Sequence, residues 1–139
     1  YEEYKDKEDV HISKIPLISL MILSNLRFNL LLKRRIQNIT TIYENVHNSG
    51  IFLFDITEIK SPFILPLILQ SNEKRECLKN LLLNNNIHPP IHWNIQGLIP
   101  EKFGYEHQLS SKILSIPIDQ RHSIEDMIGI ANVLNEVNV

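Results

Sequence analysis

The chain has 139 residues, enough for one domain with a sizeable core, and its 43% hydrophobic and 22% charged residues are ordinary for a globular protein. A formal net charge of -2 favours neither nucleic acid nor an anionic membrane as a partner. Cys77 is the only cysteine, which excludes a disulfide framework and a multi-cysteine metal site. A reducing, cytoplasmic setting is therefore expected.

The N-terminal third is predicted to hold a polar segment followed by one long helix. Residues 1–14 are rich in charge, lack a signal-peptide pattern, and are expected to be flexible or to pair with another part of the protein. Residues 15–47 have Pro16 at their start and apolar side chains at helical spacing. A helix of roughly 45 Å is long for a domain of this size, so it is expected to join two bodies.

Residues 48–139 are predicted to form an α+β body. The apolar segments IFLFDI at 51–56 and FILPLILQ at 63–70 are typical of strands, and their closeness in sequence predicts an antiparallel pair. Pro66 removes a backbone donor, so its strand is expected at a sheet edge or a bulge. A helix that begins at the Ser-Asn pair is predicted over 71–86.

The C-terminal part begins with a segment that prolines hold extended. Pro89 and Pro90 exclude a helix and predict extended backbone over 87–95. A loop is predicted over 96–107, and LSIPI at 114–118 is predicted as a strand.

The last helix carries a recognisable start signal. Ser123 and Asp126 have the spacing of a capping box, and Asp119 is interpreted as a turn residue rather than the partner of Asp126 in acid/base chemistry. The apolar stripe predicted for this helix consists of Met127, Ile130, Ala131, Leu134 and Val137. The fold predicted for the chain is α+β, with a long N-terminal helix and helices packed on one face of a small antiparallel or mixed sheet.

Three residues are candidates for binding. His92 and Trp93 lie on the proline-stiffened segment and are candidates to line a substrate pocket; the alternative is a packed Trp and a His satisfied by the backbone. Arg121 lies between a predicted strand and a helix N-terminus, where it is a candidate to bind an anion; the alternative is a solvated capping residue. His88 and His92 are about 13 Å apart on an extended segment, so no metal site is predicted.

The order of these segments resembles the small C-terminal domain of fold-type-I, PLP-dependent aminotransferases, in particular the DegT/StrS-type enzymes that act on nucleotide-linked sugars. The resemblance spans residues 12 to about 137. Its motifs are KRR at 33–35 ahead of Tyr43, IHPPIHW at 87–93, LSIPI at 114–118, and the Asp-Met pair in the capped last helix.

The resemblance implies a parent enzyme that transfers an amino group, commonly from glutamate, to a keto-sugar nucleotide in cell-surface polysaccharide or related sugar biosynthesis. It implies pyridoxal 5'-phosphate (PLP) as the parent's cofactor, a homodimer, and a position near the active-site mouth for the segment with His92 and Trp93. The family's cofactor-binding domain, with its lysine and phosphate-binding loop, lies upstream of this region. The resemblance therefore assigns no catalytic or cofactor-binding residue here, and the chain alone is expected to be inactive.

Two alternatives fit the same residues. The first is a non-catalytic α+β interaction or regulatory module. The second, still among enzymes, is another fold-type-I branch such as a decarboxylase or a lyase. All of these place residues 1–139 in a single domain with no nucleic-acid or membrane partner.

Overall fold

The structure is a computed structural model of the chain and describes residues 14–56, 59–60 and 62–136. Its helices are α1 (Leu17–Asn25), α2 (Phe28–Asn45), α3 (Asn72–Asn84), α4 (Gly104–Lys112) and α5 (Ile124–Glu136), with a 3-10 turn at Ser49–Ile51. Its strands are β1 (Ile64–Ile68) and β2 (Ile113–Pro117). The predictions for residues 1–13 and for Val137 lie outside the described residues.

The two strands form a small antiparallel sheet with one face in the hydrophobic core. Leu65 lies opposite Ile116 and Leu67 lies opposite Leu114. All four side chains are buried and join the same core as residues from α2, α3 and α5. Burial of this apolar face is the main stabilising contribution that holds the sheet to the helices. The predicted α+β fold is confirmed.

The partner of β1 differs from the predicted one. Residues 51–56 were predicted to pair with it, but they contribute only an isolated bridge, Phe52 to Leu67, and a 3.3 Å hydrogen bond from Leu53 N to Pro66 O. The longer pairing goes to β2 because β2 brings two fully buried side chains to the core face of β1, whereas Phe54 remains 55% exposed. The apolar burial gained by pairing β1 with the distant β2 outweighs the lower loop-closure entropy cost of pairing it with the nearby residues 51–56.

The expected edge position of Pro66 is confirmed. Its carbonyl oxygen accepts from Leu53, so the polar side of Pro66 faces away from β2. In a strand, the N–H and C=O of one residue point to the same side, so the missing N–H of Pro66 costs the β1–β2 ladder nothing.

The helical character of 15–47 is confirmed, but as two helices rather than one. Leu26 has extended backbone, with φ -71° and ψ 126°, and Arg27 is also non-helical. Just before the break, Ser24 Oγ and Asn25 Nδ2 donate to the Met21 carbonyl at 2.9 and 2.8 Å. These short polar side chains compete with the backbone for that carbonyl, which favours ending the helix there.

The remaining helices follow the predicted patterns closely. The capping box of α5 is present: Ser123 N donates to Asp126 Oδ2 at 2.7 Å, and Asp126 N donates to Ser123 Oγ at 3.1 Å. α4 begins at Gly104, so the loop predicted over 96–107 ends earlier than expected. The buried face of α5 consists of Met127, Ile130, Ala131, Val133 and Leu134.

Across the described ranges, none of the helices combines the length and the apolar character needed to cross a bilayer.

Candidate functional site

The proline-stiffened segment runs along the outer edge of β2. Ser115 N donates to Pro90 O at 3.1 Å, and Ser115 Oγ lies 3.1 Å from His92 Nδ1. Leu114 and Ile116 face the core, so strand alternation directs the side chain of Ser115 to the opposite face of the sheet. Ser115 is nevertheless only 1% exposed. The segment therefore covers this face, and the contact with Ser115 orients the imidazole.

Trp93 is held by its backbone rather than by its ring. Ser110 Oγ donates to the Trp93 carbonyl, which ties the segment to α4, and the His92–Trp93 peptide is cis. The side chain of Trp93 is 72% exposed. The chain thus anchors Trp93 through its carbonyl and leaves the residue largely exposed. The substrate-binding role of His92 and Trp93 remains a prediction. His92 is half-buried.

A polar cleft of about 680 Å³ opens beside this segment, between α3 and α4. Arg75, whose side chain is 14% exposed, lies in the cleft and donates through Nη1 to Ser110 O at 3.2 Å. Its Nε and Nη2 donate to Glu76 Oε1 at 3.1 and 2.7 Å. Arg75 therefore fixes α3 against α4 and shapes the wall of the cleft. Other polar residues lining it are Asn72, Asn94, Gln96, Glu101, His107, Gln108, Ser110 and Ser111.

Arg121 forms a bidentate pair with Asp119. Arg121 Nε lies 2.8 Å from Asp119 Oδ1, and Nη2 lies 2.8 Å from Oδ2. The Arg121 backbone N also donates to Oδ1 at 3.0 Å, which confirms the interpretation of Asp119 as a turn residue. The hydrogen bonds from the Arg121 guanidinium hold the pKa of the Asp119 carboxyl well below its usual range. The anion-binding role of Arg121 remains a prediction.

The three predicted binding residues do not share one cavity. Arg121 lines a second cavity of about 630 Å³ together with His88 and residues at the start of α5. This cavity and the polar cleft beside His92 and Trp93 have no lining residue in common. His92 and Trp93 are neighbours of the cleft rather than part of its lining. A sugar contact and an anion contact would therefore use different surfaces of the domain.

Sequence reasoning missed Asn38 and missed that Arg34 and Arg35 of the KRR motif hold the loop between β2 and α5. Asn38 is fully buried, and its Nδ2 donates to Ile118 O at 3.2 Å and to Asp119 O at 2.9 Å. Arg34 Nε donates to His122 O at 3.3 Å, and Arg35 Nε donates to Gln120 Oε1 at 2.7 Å. The available signal was a single Asn inside the apolar stripe of a helix. A buried polar side chain needs partners, so that position already indicated a tertiary contact.

The described residues do not fit a cofactor or metal site. PLP enzymes hold their cofactor through a lysine amine in a cavity. Of the lysines in the described ranges, none lines either of the two larger cavities. Within the same ranges, no group of three or more His, Cys, Asp and Glu side chains is arranged so that it could hold a metal ion.

Comparison with solved structures shows a similarity in the fold of this chain. No family model and no curated protein matches the sequence. A solved structure of the provisionally assigned sugar aminotransferase Spr1654 from Streptococcus pneumoniae, in its PMP form, is similar with a TM-score of 0.60 and 18% sequence identity. Its apo form is similar with a TM-score of 0.58 and 15% identity. Each comparison covers 79% of this chain and 31% of the other. The chain thus has the fold of about a third of that protein.

Proposed function

We propose that the chain is the small C-terminal domain of a PLP-dependent aminotransferase of the DegT/StrS type. The proposed parent moves an amino group from an amino-acid donor, commonly glutamate, to a keto-sugar nucleotide. The observation that carries the proposal is the fold similarity to Spr1654, with a TM-score of 0.60 over 79% of the chain. That neighbour was solved in a PMP form, which supports PLP as the cofactor of the proposed parent.

In this proposal the segment with His92 and Trp93 contributes to the substrate side of the cleft between the two domains. Trp93 presents an indole that is 72% exposed, and an aromatic face of this size suits stacking against a sugar ring or a base. His92 has its Nδ1 at hydrogen-bond distance from Ser115, so Nε2 is the nitrogen proposed to meet a substrate hydroxyl. Both groups bind and orient, and neither is assigned a proton-transfer step.

In the same proposal the two domains of the parent have separate roles. When bound in the parent, PLP supplies the electron sink for amino transfer. The residues of this chain are proposed to contact the part of the substrate remote from the reacting carbon. Arg121 is proposed to contact an anionic group at the separate cavity, on the side of its guanidinium that Asp119 leaves uncovered. Binding energy from such remote contacts lowers the barrier when it holds the reacting carbon in place.

The test uses the natural protein in which this chain occurs, expressed at full length. Amino transfer from glutamate to a keto-sugar nucleotide is measured for wild type, His92→Ala and Trp93→Ala, with thermal melting of each. We expect both variants to raise KM for the sugar nucleotide or to lower kcat, roughly 10-fold for loss of one or two kcal/mol of binding, with little change in Tm. Phe54→Ala is the matched control, because Phe54 is an exposed aromatic beside the other edge of the sheet.

Two outcomes count against the proposal in different ways. A full-length protein that binds no PLP and transfers no amino group would contradict it and favour the non-catalytic interaction module. An active enzyme with unchanged kcat and KM in both variants would keep the family and remove His92 and Trp93 from the substrate site.

A further inference from the structure

Ser115 is a buried polar residue in the middle of β2, on the face of the sheet that the proline-stiffened segment covers. It is 1% exposed, and its Oγ lies 3.1 Å from His92 Nδ1. Within the described residues, the hydroxyl has no other hydrogen-bond partner. Buried polar groups in folded proteins are almost always hydrogen-bonded, because an unpaired one keeps the full cost of leaving water. The contact with His92 therefore has to satisfy the Ser115 hydroxyl.

The direction of this hydrogen bond follows from the hydroxyl proton. A hydroxyl has one proton to donate, whereas each nitrogen of a neutral imidazole either donates or accepts. If Nδ1 of His92 carried the imidazole proton, it would donate to Ser115 Oγ, and the hydroxyl proton would be buried without an acceptor. If Nδ1 accepts, both groups are satisfied. The buried contact thus favours the tautomer of His92 that carries its proton at Nε2.

The backbone holds the imidazole in the same place. Ser115 N donates to Pro90 O at 3.1 Å, so one residue of β2 binds the segment through its backbone and through its side chain. Pro89 and Pro90 restrict the backbone just before the ring. His92 is half-buried, and in the part of the chain that the structure describes its Nε2 has no hydrogen-bond partner. The Nε2–H group can therefore donate to a ligand.

We propose that Ser115 is a positioning residue that holds His92 in the tautomer protonated at Nε2, so that the imidazole binds an oxygen that accepts a hydrogen bond. On a sugar nucleotide, a carbonyl, hydroxyl or phosphate oxygen meets this requirement. An ammonium group, which only donates, is rejected at this position. This inference rests on the proposed function, in which His92 contacts the substrate, and it adds the residue that selects which chemical group is recognised there.

The first measurement reads the tautomer in the 139-residue chain. A long-range ¹H–¹⁵N spectrum at about pH 8, where histidine side chains in water are neutral, shows which ring nitrogen carries the proton. The signals of His92 are those missing from His92→Ala. We expect protonation at Nε2 alone in wild type and a shift towards an average of both tautomers in Ser115→Ala. The matched control is Ser111→Ala, which removes a hydroxyl that donates to Gln108 O within α4 and should leave the His92 signals unchanged.

The second measurement reads substrate binding in the full-length protein. Ser115→Ala should raise KM for the keto-sugar nucleotide roughly 5-fold and leave kcat within about 2-fold of wild type, because the contact is remote from the reacting carbon. Ser115→Thr keeps the hydroxyl and should restore both KM and the His92 spectrum. Thermal melting of each variant reports any loss of folding.

The contrary results are distinct from one another. Protonation at Nδ1 in wild type, an average of both tautomers in wild type, or an unchanged spectrum in Ser115→Ala would each overturn the inference. A shifted spectrum with unchanged KM would remove the Nε2–H group from substrate binding. Equal losses in Ser115→Ala and Ser115→Thr would show that the side chain matters only for packing. A full-length protein without amino transfer would reject the proposed function, and the spectrum would then decide alone whether Ser115 sets the tautomer.

Discussion

Helices α1 and α5 are both rich in apolar residues, yet one packs on the domain and the other does not. In α5 the apolar residues recur at helical spacing, so Met127, Ile130 and Leu134 all enter the core. In α1 they occupy nearly every position from Leu17 to Leu23, and none of them is buried. The spacing of apolar residues, rather than their number, ties a helix to this domain.

The largest expected effect tests this difference directly in the 139-residue chain. Leu134 is 2% exposed, so Leu134→Ala should lower the free energy of unfolding by about 2–5 kcal/mol. Leu17 is 74% exposed, so Leu17→Ala should change it by no more than about 0.5 kcal/mol. Urea denaturation of both variants measures the two values. Comparable losses in the two variants would contradict this difference between α1 and α5, because they would mean that α1 is packed in solution.

A smaller effect concerns a polar contact on the packed side of the domain. Arg121 lowers the pKa of Asp119, so the charged carboxylate stabilises the fold fully above its unfolded pKa of about 3.9. That stabilisation is lost as pH falls from about 4 towards the lower pKa of the folded state. Because the Arg121 side chain is 79% exposed and water screens the pair, Asp119→Asn should cost only about 1 kcal/mol at neutral pH, and its deficit should shrink at about pH 2. Urea denaturation of wild type and variant at both pH values gives the deficit, and a constant deficit would contradict the ion pair.

The smallest effect concerns Trp93, an aromatic residue that the domain presents rather than buries. At 72% exposure, Trp93→Ala should change the free energy of unfolding of the 139-residue chain by no more than about 0.5 kcal/mol. A core Trp would lose about 3–5 kcal/mol on the same truncation. A loss in that higher range would mean that the Trp93 side chain packs against the domain, and it would count against a role in substrate binding. Denaturation of Phe54→Ala, another exposed aromatic, provides the reference value.

Local signals in the sequence were sufficient for much of this fold. The start of α5 at Ser123 and the extended backbone around Pro89 and Pro90 follow from residue chemistry within a few positions. The pairing of β1 with β2 joins segments about fifty residues apart, and only competition for core burial decides it. The break after α1 depends on the hydrogen bonds from Ser24 and Asn25 to the Met21 carbonyl, which the pattern of apolar residues does not indicate.

The candidate site likewise combines residues that the sequence indicated with contacts that it did not. His92 and Trp93 stood out because two prolines precede them, but nothing near them in sequence indicated that Ser115 orients the imidazole. The role of Asn38 depended on carbonyls that lie about 80 residues away. Contacts of this kind are set by how the helices pack, so residue patterns along the chain indicate only that a polar group needs some partner.

The prolines that border the small sheet also affect how the domain behaves in a crowded solution. A two-stranded sheet is normally a template for strand addition from other chains, which leads to domain swapping or fibrils. Here the outer edge of β1 lacks a donor at Pro66 and is already met by Leu53, while Pro90 accepts the outward N–H of β2 at Ser115. A strand from another chain would therefore meet a missing donor at the edge of β1 and an already bonded donor, Ser115 N, at the edge of β2. The sheet can remain small without becoming a seed for aggregation.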